Sequence, residues 1–339
     1  MQAGKRYTFF QTSNWSKKYI FTFLVFDTAV VATFALANLE WLNLPWQPIS
    51  LIGIAVAFYL GFKNNSSYER MWEARKIWGG IVNTSRSITV MAREYINGEN
   101  STSKPSDEEL KKTVREFVDR HIAWLQSLAL ELRKVQGWEH TDKGHQKLRE
   151  KFGTDYSEEK FQNLKKYLSE EEFNYILKKG NRSSHLLSLQ TKHLMALRSA
   201  GTLEHFRHLQ MQDQITELYT LQGKSERIKN FPFPRQYATV TYFFVVLFII
   251  LLPFGMINIF KDLPGYWIWV AIPFSVICSW VFWMMEMIGS TSENPFEGLY
   301  NDVPISSMAT SIEIDILQML DEDELPESIQ PVGNMKLLF

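Results

Sequence analysis

The chain has 339 residues, with 36 basic and 37 acidic side chains and a formal net charge of −1 at pH 7. This balance excludes the strongly charged surface typical of nucleic-acid-binding proteins and of proteins with acidic partners. The single cysteine, Cys278, excludes an internal disulfide framework and a cysteine-based zinc site.

Four apolar segments predict four membrane helices, and they cover residues 20–37, 49–62, 238–260 and 266–289. The third carries no charge, which is rare for a core helix of a soluble protein. The second is shorter than the roughly 20 residues that a bilayer core requires. It runs without a break into polar residues, which favours the lining of a water-filled path over contact with lipid on all sides.

The positions of the basic residues predict the orientation in the membrane. Basic residues precede the first membrane helix and follow the second: Lys5, Arg6, Lys17, Lys18, Lys63, Arg70, Arg75 and Lys76. The positive-inside rule therefore predicts that both termini and the long middle region are cytoplasmic.

The middle region reads as helical throughout, without strand alternation. Residues 64–97 continue the second membrane helix, Ser106 and Ser169 open capping boxes, and residues 186–221 are predicted to form one long helix. A last helix opens near Pro304, before a loosely ordered acidic tail. The predicted order is a cytosolic N-terminal segment (1–18), membrane helices (19–63), a cytosolic helical domain (64–234), membrane helices (235–290), a C-terminal segment and helix (291–320) and the tail (321–339).

Two stripes lie side by side on the second membrane helix. Small residues recur at Gly53, Ala57 and Gly61, a spacing that lets a neighbouring helix approach closely. Bulky residues recur about 100° away, at Ile54, Phe58 and Phe62. Spacing alone favours lipid-facing or core positions for the bulky stripe, and a ring of such groups from several subunits is the alternative.

Three sequence blocks resemble the signature of the bestrophin family, in its prokaryotic branch. The first is Gly61–Phe62–Lys63–Asn64–Asn65 with Tyr68, Arg70, Trp72 and Glu73–Ala74–Arg75–Lys76. The second is Glu293–Asn294–Pro295–Phe296 with Asn301–Asp302–Val303–Pro304–Ile305, and the third is Phe231–Pro232–Phe233–Pro234 with Tyr237. The resemblance covers nearly the whole chain.

The resemblance implies an all-α integral membrane protein with four transmembrane helices per subunit, a cytosolic helical domain and a pentameric channel. It places the pore neck at Ile54, Phe58 and Phe62. It places a cytosolic aperture near Phe231, with Phe233 as the alternative and core packing as the competing role for both. It further implies a homopentamer in a bacterial inner membrane, in contact with lipid.

The permeating ion stays open between chloride and sodium. A phenylalanine ring has a positive edge and a negative face, so edge-on rings favour anions and face-on rings favour cations. The two-phenylalanine neck resembles the anion-conducting members of the family, and chloride is therefore expected. The alternatives are a sodium channel of the same fold and a membrane-anchored sensor or structural module. The sequence has no phosphate loop, nucleophile elbow or HExxH motif, so we expect no enzyme activity and no cofactor.

No metal site is expected. Animal members of the family carry a calcium clasp of consecutive acidic residues after the Asn-Pro-Phe motif, whereas this chain retains Glu297 and Asp302 nearby. Calcium prefers six to eight oxygen ligands with several carboxylates, so we predict no calcium activation.

Charged residues near the membrane are further candidates for function or structure. Asp27 is expected to pair with a polar neighbour, and Glu286 to reach the membrane interface. Ion pairs between helices or subunits are expected for a close-set group of four charged residues: Arg70, Glu73, Arg75 and Lys76.

Overall fold

The computed structural model describes residues 1, 7–99, 101, 104–333 and 336–339. In this part of the chain, isolated bridges join Ile96 to Leu203 and Val332 to Leu337, and the regular elements are helical. The α-helices are α1 (Phe9–Ala37), α2 (Trp46–Tyr95), α3 (Asp107–Leu132), α4 (Lys143–Phe152), α5 (Glu158–Gln162), α6 (Glu170–Leu177), α7 (Arg182–Ser199), α8 (His205–Asn230), α9 (Arg235–Phe260), α10 (Ala271–Thr291) and α11 (Ile305–Gln318). The all-α prediction is confirmed.

The described chain divides into two compact units. One holds residues 7–71 and 232–293, and the other holds most of residues 72–231 and 294–339. Four helical spans of the first unit are long and apolar enough to cross a membrane, and they include α1, α2, α9 and α10. The four predicted membrane helices are therefore present.

Two of these helices differ from the predicted segments at their ends. Helix α1 begins at Phe9, well before the apolar run, because Thr8 and Gln11 form a capping box there. The fourth span begins as a 3₁₀ helix, Gly265–Val270, before α10. Lys5 and Arg6, which entered the orientation argument, lie outside the described residues.

Close helix contacts in the first unit depend on glycine. A Cβ atom built on Gly53 of α2 would lie 2.7 Å from the ring of Phe248 on α9. A Cβ atom on Gly289 of α10 would overlap the side-chain oxygen of Asn64 on α2. A larger residue at Gly53 would therefore require the Phe248 ring to move, and a larger residue at Gly289 would require the Asn64 side chain to move.

The helical unit contains the predicted capping boxes of Ser106 with Glu109 and of Ser169 with Glu172. Helix α3 is its most buried element, and Phe117, Ile122 and Trp124 are completely buried. From Phe117 to Leu132, side chains on all sides of α3 are covered, as expected for a helix at the centre of a bundle.

One predicted helix of this unit is wrong. The long helix expected over residues 186–221 is two helices, α7 and α8, because Gly201 adopts a left-handed conformation (φ 75°) that ends the first. Glu204 then caps α8 through the backbone amides of Phe206 and Arg207.

The acidic tail is more ordered than expected. Leu337 and Phe339 are buried, and the amide of Ser307 donates to the carbonyl oxygen of Phe339. The Phe339 ring also stacks on Phe152, with ring centroids 4.6 Å apart. Residues 334–335 of the tail lie outside the described residues.

Candidate functional site

One face of the membrane part of α2 is buried in its own unit. The buried residues recur every three or four positions: Ile49, Gly53, Val56, Leu60, Lys63 and Ser67. Val56 and Leu60 belong to the apolar core that α1, α9 and α10 share with this helix. This face therefore fixes the rotation of α2 within the unit.

The bulky stripe lies on the opposite face of the helix. Ile54, Phe58 and Phe62 are 69%, 65% and 50% exposed. Phe58 lies about half a turn round the helix from the centre of the buried face, at 100° per residue. Leu51, which the predicted stripe did not include, is 69% exposed and begins the same stripe. A period-3.6 count started from position 51 would have included it.

The rings of Phe58 and Phe62 form an edge-to-face pair. Their centroids are 4.6 Å apart and their planes are 89° apart. These residues are one helical turn apart, so the line between the rings runs roughly along the helix. Perpendicular planes at this distance bring the edge of one ring to the face of the other, so the two rings turn different surfaces toward their surroundings.

The small stripe is divided between two environments. Gly53 is buried against Phe248, as described above. Ala57 and Gly61 are exposed, and a Cβ atom on Gly61 would meet nothing within 4 Å. Helix packing at these two positions stays a prediction.

A buried ion pair lies directly behind Phe62. The ammonium group of Lys63 on α2 contacts the carboxylate of Glu286 on α10, and both side chains are almost completely buried. The expectation that Glu286 reaches the membrane interface is wrong, because the side chain turns inward to meet Lys63. A buried pair of this kind ties α2 to α10.

Asp27 on α1 is completely buried. The hydroxyl oxygen of Ser275 on α10 is also buried without a hydrogen-bond partner among the described residues, so the expected polar pairing of Asp27 stays a prediction. Neither carboxyl oxygen has a partner at hydrogen-bonding distance among the described residues.

The four charged residues after the membrane segment have different environments. Glu73 forms an ion pair with Arg227 on α8, at 2.5 Å. Arg70 is half-buried, whereas Arg75 and Lys76 are exposed. An ion pair between helices is therefore present for Glu73, and pairs between subunits stay a prediction.

The two aperture candidates also separate. Phe231, at the end of α8, is 63% exposed. Phe233 is 4% exposed and its ring packs on Tyr237 of α9. The burial of Phe233 contradicts its role as the alternative aperture residue, and Phe231 remains the candidate.

The segment after the Asn-Pro-Phe motif is held by internal polar contacts. Asp302 accepts hydrogen bonds from the backbone amides of Gly298 and Leu299, and the Arg133 guanidinium lies 3.7 Å from its carboxylate. Burial raises the pKa of Asp302 to about 6 and outweighs the attraction of Arg133. Burial lowers the pKa of Arg133 to about 10.

The second carboxylate of this segment is also engaged. Glu297 accepts hydrogen bonds from the His140 ring and from the Asn294 amide. Burial opposes its ionisation, but these hydrogen bonds hold the pKa of Glu297 below its usual value. Protein groups thus occupy the oxygen atoms that a calcium ion would need.

We therefore expect calcium to change neither the current nor the thermal midpoint of the purified protein. The Arg133 guanidinium already supplies a positive charge beside Asp302, so a divalent cation would meet repulsion there. The measurement is a melting curve with calcium and with the chelator EGTA. A calcium-dependent rise in the midpoint that Asp302→Asn abolishes would contradict the expectation.

Comparison with known proteins identifies the family. Residues 16–318 match the family model described as bacterial and fungal bestrophin protein. The chain belongs to the bacterial and fungal bestrophin family. It is an integral membrane protein, and membership of this family of channels confirms the expectation that it is not an enzyme.

Several bestrophin relatives are similar over most of their length. The voltage-dependent anion channel-forming protein YneE of Escherichia coli K12 is 30% identical over 291 residues, which are 86% of this chain and 82% of that protein. The voltage-dependent anion channel-forming protein RSc3414 of Ralstonia nicotianae is 29% identical over 307 residues, which are 89% of this chain and 87% of that protein. A crystal structure of a bestrophin homologue from Klebsiella pneumoniae has a TM-score of 0.73 at 25% identity, covering 90% and 98%.

Proposed function

We propose that this protein is a homopentameric channel that passes small monovalent anions, chloride in particular, through a central pore. Ile54, Phe58 and Phe62 of each subunit form the hydrophobic neck of that pore. The names of the relatives from E. coli and Ralstonia, both anion channel-forming proteins, support the class of ion. A ring of bulky apolar groups narrows a pore and gates it by dewetting.

The observation that carries the neck is the exposed apolar face of α2. This face lies opposite the face of α2 that packs in the unit. In an assembly of five subunits around an axis, it is therefore available to line the central pore. A lipid-facing role is the alternative. The same face continues with exposed polar residues, Asn65 and Glu69, which suit water better than hydrocarbon.

The choice of an anion includes a proposed orientation of the rings. The planes of Phe58 and Phe62 are perpendicular, so the pair can turn the positive edge of one ring toward the pore. A neck lined by such edges attracts anions and repels cations.

One observation favours sodium as the second candidate. Glu69 is exposed two turns beyond Phe62, and a ring of carboxylates is typical of cation channels. We favour chloride because, in the proposed pore, the dehydrated ion contacts the phenylalanine rings of the neck and not the Glu69 carboxylates beyond it.

We further propose that Phe231 is the residue of the cytosolic aperture, and that both termini are cytoplasmic in a bacterial inner membrane. The exposure of the Phe231 ring supports the first proposal. The basic residues Lys17 and Lys18 before the apolar part of α1 support the second. Exposed apolar side chains on α1 and α9, such as Phe21 and Phe243, suit contact with lipid.

The test of the permeating ion is the reversal potential of the purified protein in planar bilayers with asymmetric salt. A tenfold chloride gradient is expected to give a value approaching about 59 mV toward the chloride equilibrium potential. A shift toward the sodium equilibrium potential would establish the second candidate. No current from a folded oligomer would favour a sensor or structural module.

Replacing Ile54, Phe58 and Phe62 together by alanine is expected to raise the conductance several-fold and to weaken ion selectivity. The change removes the apolar constriction that resists hydration of the pore. Phe21→Ala with Phe243→Ala is the matched control, because it removes exposed rings of the same unit on other helices. Unchanged currents in the triple variant would show that this face is not the constriction.

A further inference from the structure

The exposed face of α2 does not end at Phe62. Asn65 lies one turn further on the same face, and Glu69 lies two turns further. Seven residues of an α-helix advance about 10 Å and drift by only about 20°, so Glu69 stays in line with Phe62. Asn65 and Glu69 are both exposed, as the three neck residues are.

The Glu69 carboxylate is held on this face by a neutral group. The side-chain amide of Asn65 donates a hydrogen bond of 2.8 Å to one carboxylate oxygen of Glu69. Among the residues that the structure describes, no basic side chain pairs with Glu69, whereas Glu73, one turn further, is paired with Arg227. Glu69 therefore presents an uncompensated negative charge at the end of the proposed neck.

This charge acts on ions that enter from one side. An ion coming from the Tyr95 end of α2 passes Glu69 before it reaches Phe62, whereas an ion from the other side passes the neck first. The next charged residue on the same face of α2 is Glu73, about 16 Å beyond Phe62 and paired with Arg227, and Lys76 follows about 21 Å beyond Phe62. The Debye length is about 8 Å at physiological salt, so the field of Glu69 dominates at the neck.

We propose that Glu69 is a specificity-determining residue that limits anion entry into the neck from the Tyr95 side of α2. This inference rests on the proposed pore. Five carboxylates about 10 Å from the ion, screened at physiological salt, lower anion entry about threefold. The anion current therefore rectifies, with the smaller current for anions that enter past Glu69.

The test compares Glu69→Gln with Glu69→Asp in bilayers of one protein orientation. Glu69→Gln is expected to raise anion current from the Tyr95 side about threefold and to make the current–voltage relation linear. Glu69→Asp keeps the charge and is expected to keep the rectification. The difference between the two variants is expected to vanish near 1 M salt, where the Debye length is about 3 Å.

Three results would overturn the inference. Equal effects of Gln and Asp would assign the change to shape rather than charge, and an unchanged current–voltage relation in Glu69→Gln would show that Glu69 is not in the path. A reduced cation current in Glu69→Gln would show a cation path and remove the proposal with it. The variant with Ile54, Phe58 and Phe62 replaced by alanine separates failure of this inference from failure of the proposed pore. If that variant changes the conductance and Glu69→Gln does not, the proposed neck stands and only the role of Glu69 is rejected.

Discussion

Replacing Lys63 by methionine is expected to lower the free energy of unfolding by about 3–5 kcal/mol, the range for breaking a buried ion pair. The variant leaves the Glu286 carboxylate buried without its cation, in a bundle that excludes water. Glu286→Gln is expected to destabilise for the corresponding reason. The measurement is the thermal midpoint, with the denaturant midpoint as a second readout, of the detergent-solubilised oligomer.

The double variant Lys63→Met with Glu286→Met is expected to recover most of the loss. Apolar residues of similar volume remove both desolvation penalties, and such replacements are often neutral. Arg93→Met is the control, because the Arg93–Glu94 pair is about half exposed and contributes at most about 1 kcal/mol. If Lys63→Met behaves like Arg93→Met, the pair does not hold α2.

The functional consequence would appear at the neck. Lys63 directly follows Phe62 and lies about 100° round the helix from it, on the buried face, so the ion pair sets the rotation at which Phe62 is presented. Partial loss of the pair is therefore expected to change conductance as well as stability.

Acidification from pH 6.5 to pH 4 is expected to destabilise the helical unit through two buried histidines. Burial lowers the pKa of His121 to about 4. Burial and the charge of Arg120, which donates to the ring of His193, lower the pKa of His193 to about 4. Each folded-state pKa lies below the unfolded value of 6.5, so the unfolded chain binds the proton first. Their stabilising contributions are present above pH 6.5 and are lost as the pH falls to 4.

The expected loss is about 3 kcal/mol for His121, which is completely buried. Asp302 acts in the opposite direction between about pH 4 and 6, because its raised pKa makes the folded state bind the proton first. The His121→Leu variant isolates one contribution: its melting curve should vary less between pH 7.5 and pH 5 than that of the native chain. An unchanged pH dependence in His121→Leu would contradict the expectation.

Local signals in the sequence were sufficient for much of the fold. The apolar runs predicted the four membrane helices, and residues 64–97 were predicted to continue the second of them, which α2 does as far as Tyr95. The capping boxes at Ser106 and Ser169 are where the sequence placed them. These signals act over a few residues, so they do not depend on what the rest of the chain packs against.

The errors share a different physical origin. The break at Gly201 required a choice between a helical and a left-handed glycine, and glycine allows both. Phe231 and Phe233 are two residues apart and have the same side chain, yet Phe233 is buried and Phe231 is exposed. Glu286 was assigned to the interface because its partner, Lys63, is distant in sequence.

By itself, the sequence determined that this is a four-span helical membrane protein of the bestrophin family, and it located the bulky stripe Ile54, Phe58 and Phe62. Hydropathy, helical period and motif spacing depend only on residues that are close together in the sequence. Only the tertiary structure decided which face of α2 is buried, that Lys63 meets Glu286 behind Phe62, and that Glu69 stays exposed without a basic partner among the described residues. Those outcomes depend on contacts between distant segments, and a residue's burial and charge pairing exist only once the helices have packed.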